Sequence, residues 1–155
     1  MTKIIKINDL IRKLKSKKKV VALSHGVFDL LHHGHLRHFE EVKKKSDLLI
    51  VSVTTDSYVK KGPSRPYFSI KDRLYTLSKL ENVDFVLESN SLSSISVIKK
   101  IKPHFYCKGP DYKDLRKDRT KKIYLEKKTV ERFGGKLLIT SNKTSSSSKL
   151  INSEY

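Results

Sequence analysis

The chain has 155 residues, of which 37% are hydrophobic and 32% are charged, a composition that is typical of a globular protein and excludes a disordered one. Its net charge of +18 favours anionic ligands, and its single cysteine excludes an internal disulfide. No apolar run approaches membrane-spanning length and no signal-peptide hydrophobic region begins the chain, so we expect a cytoplasmic protein with no membrane partner. One domain over residues 1–155 is expected, with a lysine-rich helical lead-in at 1–19 and a core at 20–151.

The positive charge is distributed along the chain and is not concentrated in one stripe. Short lysine runs separate most of the predicted elements; they lie at 17–19, 43–45, 60–61, 99–100, 121–122 and 127–128. Scattered lysines of this kind are more typical of a solvated surface than of a nucleic-acid-binding face. A nucleic-acid partner is therefore not expected.

Apolar periodicity predicts an alternation of helices and strands along the chain. The first helix is expected to begin at the N-cap Asn8, the first strand is Val20–Leu23, and the second helix is Leu36–Lys45. The later predicted elements are a strand at 48–53, a loop at 60–66, a helix at 69–80, a strand at 84–87, a helix near 92–98, a strand at 104–107, a helix at 117–133 and a strand at 136–140.

Strands that alternate with helices are typical of an α/β protein, here a Rossmann-like, doubly wound parallel sheet of five strands with helices on both faces. The expected strand order is 3-2-1-4-5. In this order the first and fourth strands are neighbours where the winding reverses, which is where such sheets bind ligands. The turns that follow these strands, at 24–35 and 108–112, are therefore expected to meet in one crevice.

The turn after the first strand combines glycines and histidines at the start of a helix. It contains Gly26, Gly34, His32 and His35. Glycine lets the backbone approach a ligand closely, and a helix N-terminus attracts anions. On these residues alone three interpretations stay open: ordinary turn and cap residues, a metal site drawn from the histidines at 25, 32, 33, 35 and 38, or a phosphate site in which histidines are the donors.

The segment Gly26–His35, which reads Gly-Val-Phe-Asp-Leu-Leu-His-His-Gly-His, resembles the signature of the cytidylyltransferase-like nucleotidyltransferase superfamily. The resemblance continues in order along most of the chain, through residues 52–56, 61–66, 73, 83–84, 108–112 and 134–136. The loop at 61–66 and the Lys-Gly-x-Asp-Tyr turn are most similar to the adenylyltransferase domain of ADP-heptose synthase. Glycerol-3-phosphate cytidylyltransferase shares the first motif and is less similar in the later ones.

The resemblance implies an enzyme in which a phosphorylated acceptor attacks the α-phosphorus of a nucleoside triphosphate and pyrophosphate leaves, without a covalent enzyme intermediate. ATP and a sugar phosphate or polyol phosphate are the expected substrates. CTP with a glycerol-3-phosphate-like acceptor is the alternative, and a basic nucleic-acid-binding module is a distant one. The expected cofactor is Mg²⁺ held mainly by triphosphate oxygens, without a metal site of the protein's own. A homodimer is common in the family and is expected here.

By the same resemblance, four side chains are expected to act on the phosphates. His32 and His35 would contact them and stabilise the transition state, Lys43 would hold the acceptor phosphate or the triphosphate, and Arg73 would clamp a phosphate with two hydrogen bonds. The segment Ser145–Ser148 stands where the family has Ile-Ser-Thr-Thr, so three hydroxyls remain for capping or phosphate contacts.

The remaining site residues implied by the resemblance divide between the two substrates. Lys61 and Asp56 are expected at the acceptor. Those expected at the nucleotide are Gly26, Val27, Phe28, Asp29, Gly34, Lys108, Gly109, Asp111, Ser146, Ser147 and Ser148. Among them, the Phe28 ring is expected to pack in the core, and Asp29 to stabilise its turn and not to act as a base. His33 has no expected role and should be exposed.

Overall fold

A five-stranded parallel sheet organises the chain in the computed structural model, which describes residues 2–16, 18–112 and 121–141. The strands are β1 (Val21–Gly26), β2 (Leu48–Thr54), β3 (Phe85–Ser89), β4 (Phe105–Lys108) and β5 (Lys136–Ile139). Their order is β3-β2-β1-β4-β5, and all four neighbouring pairs are parallel. The predicted fold class and strand order are confirmed, and β1 lies at the point where the winding reverses.

Helices cover both faces of the sheet. They are α1 (Ile7–Lys15), α2 (His33–Lys44), α3 (Ile70–Ser78), α4 (Ile95–Ile101) and α5 (Lys122–Arg132). One buried cluster joins α1, α4 and α5 to the sheet through residues such as Leu10, Ile98 and Ile123. The other joins α2 and α3 to the opposite face through residues such as Phe39 and Leu77. Adjacent strand residues contribute to opposite clusters because side chains alternate across a strand.

The starts of α1, α2 and α5 are among the helix boundaries that differ from the sequence prediction. The helix α1 begins at Ile7 with Lys6 in the capping position, so Asn8 is not the cap. The helix α2 begins at His33, three residues before the predicted Leu36, because the side chain of His32 accepts a hydrogen bond from its first turn. The described part of α5 begins at Lys122; residues 117–120 of the prediction lie outside the described ranges.

Parallel strands place all their carboxyl ends at one edge of the sheet, and the helices that follow them return toward the other edge. The segments that leave this edge include the turn after β1, the long loop at 55–69 after β2 and the turn after β4. Within the described ranges, no helix has both the length and the apolar character that crossing a bilayer requires.

Candidate active site

A cavity of about 270 Å³ opens at the carboxyl ends of β1 and β4. Its walls come from residues 24–29 at the end of β1, from histidines at the start of α2, and from the turn after β4 at 107–112. Lys61, in the loop after β2, reaches its rim. The two turns that the sequence predicted to converge therefore do meet in one crevice, as expected of neighbouring strands at the point of reversal.

The rings of His32 and His35 are fixed in orientation by hydrogen bonds to backbone N–H groups at the start of α2. The Nδ1 atom of His32 accepts a hydrogen bond of 3.0 Å from the backbone N–H of Gly34, and Nδ1 of His35 accepts one of 3.2 Å from the backbone N–H of His32. The two ring centroids are 4.1 Å apart. Because each Nδ1 is an acceptor, each neutral ring carries its proton on Nε2 and is a donor there.

The electrostatic surroundings keep His35 uncharged at neutral pH. Burial, followed by the charges of His32, His38 and Lys61, lowers the pKa of His35 to about 4. A ring with this pKa is an Nε2–H donor without a net charge throughout the physiological range. At the wall of the cavity, such a donor can bind a phosphate oxygen without changing its protonation state.

Two further histidines, His25 and His38, line the cavity. The sequence indicated them only as members of a possible metal site. His25 lies 2.6 Å from the Ser52 hydroxyl through Nδ1, and burial and Lys108 lower its pKa to about 3. His38 lies 3.0 Å from the Ser24 hydroxyl. Among the residues described, no three histidine, cysteine or carboxylate side chains are placed to hold a metal ion together.

His38 links three elements behind the cavity wall. Besides the Ser24 hydroxyl of β1, it contacts the Thr140 hydroxyl after β5 at 2.8 Å through Nδ1, and burial and Lys108 lower its pKa to about 4. It is buried one turn after His35 on α2. The sequence signal for a site role of His38 was its spacing of three residues from His35, because this spacing places both rings on one face of a helix.

Lys108 is fixed at the opposite wall of the cavity. Its Nζ donates a 3.0 Å hydrogen bond to the backbone carbonyl of His25. The same atom lies 5.5 Å from the ring centroid of Tyr106 and 5.2 Å from that of Tyr112. Burial lowers the pKa of Lys108 because it penalises the charged form. The side chain thus brings a positioned cation to the cavity, with Gly109 and Asp111 beside it in the lining.

Asp29 connects the turn after β1 to the loop after β2. Its carboxylate accepts from Nε of Arg65 at 2.9 Å and from the backbone N–H groups of Tyr67 and Phe68 at 2.6 and 2.8 Å. The carboxylate is buried and lines the cavity. This is the turn-stabilising role predicted for Asp29, because its oxygens are bonded to loop donors.

Phe28 shapes the same turn from the apolar side. Its ring lies 5.8 Å from that of His35 and 5.6 Å from that of Phe39, so it packs against the core beneath α2 as predicted. A Cβ on Gly26 would lie 3.2 Å from the Phe28 ring. The glycine therefore leaves room for the Phe28 ring, which a larger residue at this position would press against. Val27 lies between them in the cavity lining.

Lys43 was expected at the phosphates, but the structure places it at the other edge of the sheet. Its Nζ donates to the carboxylate of Asp84 at 2.6 Å and to the backbone carbonyl of Asp47 at 2.5 Å. These residues precede β3 and β2. The reason is geometric: α2 runs back from the carboxyl edge, and eight residues after His35 correspond to a rise of about 12 Å. The structure therefore does not bring Lys43 to the cavity.

Arg73 and Asp56 are also engaged within the protein. The Arg73 side chain is fully buried and donates to the backbone carbonyls of Val27, Thr54 and Phe68 at 2.8 to 3.0 Å and to Asp56 at 2.5 Å. Neither residue lines the cavity. The predicted phosphate clamp is instead a clamp that joins the ends of β1 and β2, because carbonyl oxygens already occupy the guanidinium fork.

The other predicted site residues divide into three groups. Those that line the cavity are Gly26, Val27, Phe28, Asp29, His32, His35, Lys61, Lys108, Gly109 and Asp111. Gly34 is buried in the first turn of α2, where its N–H is the donor to His32. Ser146, Ser147 and Ser148 lie outside the described residues. His33 is exposed, as expected.

Residues 23–153 match the protein family described as cytidylyltransferase-like. Over 108 residues the chain is 42% identical to the bifunctional protein HldE of Aliarcobacter butzleri, a match that covers 68% of this chain and 23% of that protein. It is 37% identical to HldE of Helicobacter pylori over 112 residues, covering 71% of this chain and 24% of the relative. The chain thus spans about a quarter of the length of these curated relatives.

Two solved structures share the architecture. The lipopolysaccharide core biosynthesis protein of Thermoplasma volcanium superposes with a TM-score of 0.66 at 26% identity, over 81% of this chain and 99% of that one. A pantoate-beta-alanine ligase of Francisella tularensis superposes with a TM-score of 0.66 over 98% of this chain and 73% of the ligase. Its identity of 16% makes that likeness one of fold alone.

Proposed function

Because the chain belongs to the cytidylyltransferase-like family of nucleotidyltransferases, we propose that it transfers the adenylyl group of ATP to a sugar 1-phosphate. The product would be an ADP-sugar of the ADP-heptose type, with pyrophosphate as the second product. The resemblance of residues 61–66 and 108–112 to ADP-heptose synthase and the similarity to HldE proteins both support ATP and a heptose 1-phosphate as the substrates.

The observation that carries the proposal is the convergence of histidine N–H donors and a fixed lysine on one cavity. His32 and His35 carry Nε2 protons at the start of α2, where the helix dipole also favours an anion. Lys108 approaches from the neighbouring strand. Donors on two sides of a crevice suit a polyphosphate chain, whose negative charge extends over several oxygens.

The chemistry that these residues support is an in-line displacement at phosphorus. An oxygen of the acceptor phosphate forms a bond to the α-phosphorus of ATP. The bond from that phosphorus to the oxygen bridging to the β-phosphate breaks, and pyrophosphate leaves with the electron pair. A sugar phosphate is already ionised at neutral pH, so the step needs no general base. The protein supplies position and charge stabilisation to the five-coordinate transition state.

Each polar group at the cavity has a defined part in this proposal. The Nε2–H groups of His32 and His35 would donate to oxygens of the α- and β-phosphates. Lys108 would neutralise charge on the triphosphate, and Lys61, at the rim, would meet the incoming acceptor. Partial burial and the neighbouring Arg65 lower the pKa of Lys61, so its affinity for phosphate is lost as the pH rises toward its altered pKa.

The donor set at the cavity fits a Mg²⁺ ion that enters with the triphosphate. The carboxylates in the lining are Asp29, which is bonded to the loop after β2, and Asp111. We therefore infer that phosphate oxygens and water supply most of the Mg²⁺ ligands and that Asp111 is the lining carboxylate that would contribute to its coordination. The bound ion would screen the triphosphate charge. From the family resemblance we also infer a homodimer that acts in the cytoplasm, where both substrates occur.

The test is a pyrophosphate-release assay that combines each of ATP, CTP, GTP and UTP with heptose 1-phosphate, glucose 1-phosphate and glycerol 3-phosphate. We expect turnover to be fastest with ATP and heptose 1-phosphate, with ADP-heptose detected by mass spectrometry. Fastest turnover with CTP and glycerol 3-phosphate would replace the proposal by the cytidylyltransferase alternative. No turnover with any pair, together with salt-sensitive binding to RNA or DNA, would contradict both.

A further inference from the structure

The guanidinium of Arg65 is buried with four of its five N–H donors unused. Its Nε donates to Asp29 at 2.9 Å, and its side chain is 1% exposed. Both terminal nitrogens, Nη1 and Nη2, are buried and have no hydrogen-bond partner among the described residues. Buried donors are almost always bonded, and an arginine cannot lose its charge to avoid the cost. The unused pair of nitrogens has the shape that binds two oxygens of one phosphate.

The charges around Arg65 favour the binding of an anion at its Nη1 and Nη2 atoms. Asp29 is the carboxylate bonded to it, and that carboxylate also accepts from the backbone N–H groups of Tyr67 and Phe68. Lys61 adds a second cation close enough for Arg65 to lower its pKa. The group therefore holds two cations against one carboxylate whose oxygens are already engaged. An added phosphate would restore the balance.

Arg65 lies behind the cavity lining, to which it is joined through its partner Asp29 and its loop neighbour Lys61. The strands β2 and β4 flank β1, so the loop after β2, which carries Lys61 and Arg65, approaches the histidine turn from one side. The turn after β4, which carries Lys108, approaches it from the other. The loops on both sides of His32 and His35 therefore carry cations, as two anion subsites would need. A reaction between two phosphate-bearing substrates requires two.

We propose that the Nη1 and Nη2 atoms of Arg65 bind the phosphate of the sugar 1-phosphate acceptor, an inference that rests on the function proposed above. Residues 60–64 of the same loop are exposed. Because Nη1 and Nη2 are buried, acceptor binding would have to shift this loop to reach them. Asp29 holds Nε and thereby aims the other two nitrogens. Arg65 is thus the acceptor-recognition residue that the resemblance did not assign.

The first test is steady-state kinetics of Arg65→Lys with ATP and heptose 1-phosphate. Lysine keeps the charge and can reach Asp29, but it cannot bind two phosphate oxygens in one plane. We expect the KM for heptose 1-phosphate to rise about 30-fold or more, with the KM for ATP changed less than about twofold. Arg132→Lys, the same substitution at an exposed residue in the last turn of α5, should leave both values unchanged.

The kinetic outcomes separate the possible roles of Arg65. Equal rises in both KM values would assign Arg65 to the triphosphate, and unchanged values for both would make its role structural; either result overturns the proposal. Retention of the thermal shift that ATP induces in the wild type shows that the variant is folded and that its nucleotide half is intact. Guanidinium ion added to Arg65→Ala should restore part of the activity, which a purely structural defect would not allow.

A crystal structure of the wild-type protein with inorganic phosphate and a non-hydrolysable ATP analogue tests the same point without a variant. Phosphate bonded to Nη1 and Nη2 supports the assignment, whether or not turnover has been found. Phosphate bound only at Lys108 or the histidines contradicts it. Failure of the proposed function is a separate result, because it is the absence of pyrophosphate release by the wild-type protein with every substrate pair.

Discussion

The lysines at the two edges of the sheet have different partners. At the amino edge, Lys43 is bonded to the Asp84 carboxylate, which also accepts from the backbone N–H of Leu49 at 2.7 Å, so that each charge has a partner. At the carboxyl edge, Lys108 donates to a backbone carbonyl and lies between two aromatic rings. The paired edge contributes to the stability of the fold. The edge with excess positive charge has capacity left for an anionic ligand.

The largest effect that this comparison predicts is on catalysis by His35. His35→Ala removes one Nε2–H donor to the phosphates, and kcat/KM should fall about 10²–10³-fold in a pyrophosphate-release assay. The matched control is His33→Ala, because His33 is an exposed histidine of the same helical turn and should retain full activity. A fully active His35→Ala would show that the donors at the carboxyl edge do not act on the reacting phosphates.

The next effect concerns stability at the carboxyl edge. Arg73→Met should lower the free energy of unfolding by about 3 kcal/mol, because three backbone carbonyls and Asp56 lose their buried donor. Urea denaturation followed by circular dichroism measures the change. The control is Arg37→Met, an exposed arginine on α2, for which we expect less than about 0.5 kcal/mol. Equal stability of Arg73→Met and the wild type would disprove the clamp.

The lysines at the two edges should respond in opposite ways to the same substitution. Lys108→Met should lower kcat/KM for ATP about tenfold or more, because it removes a positioned cation from the cavity. Lys43→Met should change kcat/KM less than about twofold and should lower the free energy of unfolding by about 1 kcal/mol, since Asp84 loses its partner. If Lys43→Met is the inactive variant, the assignment of the two edges is reversed.

A further predicted effect is on the pH dependence of stability. The pKa of His38 is about 4 in the folded protein and about 6.5 in an unfolded chain, so between these values the unfolded state binds more protons. His38 therefore contributes stability above pH 6.5 that is lost as the pH falls toward 4, by about 1.4 kcal/mol per pH unit. His38→Gln should remove this share of the slope in urea titrations at pH 7, 6 and 5, and His33→Gln should not. An unchanged slope in His38→Gln would contradict the buried, neutral state of the ring.

The architecture and the position of the site could be predicted from the sequence because both follow from the order of elements. Alternating strands and helices predict a parallel sheet, and its winding places the turns at 24–35 and 108–112 together. The role of Asp29 could be predicted because an acidic residue in a tight turn commonly accepts backbone hydrogen bonds.

The direction in which a helical side chain points could not be predicted with the same certainty. A motif specifies the residue type, but it does not say to which edge of the sheet α2 carries the side chain of Lys43. Arg73 has the fork that suits a phosphate, and the same fork suits three backbone carbonyls. Arg65 was visible only as one residue of a loop, since its burial and its unused nitrogens depend on the packing of Asp29 beneath it.

The most direct measurement of the central claim is a titration of the ¹⁵N-labelled protein with Mg²⁺ and ATP, followed by amide chemical shifts. We expect the largest changes at Gly34, His35, Lys108 and Gly109, with the amides of Asp47 and Asp84 at the amino edge unchanged. Changes centred on the amino edge, or no changes at any ATP concentration, would contradict that claim.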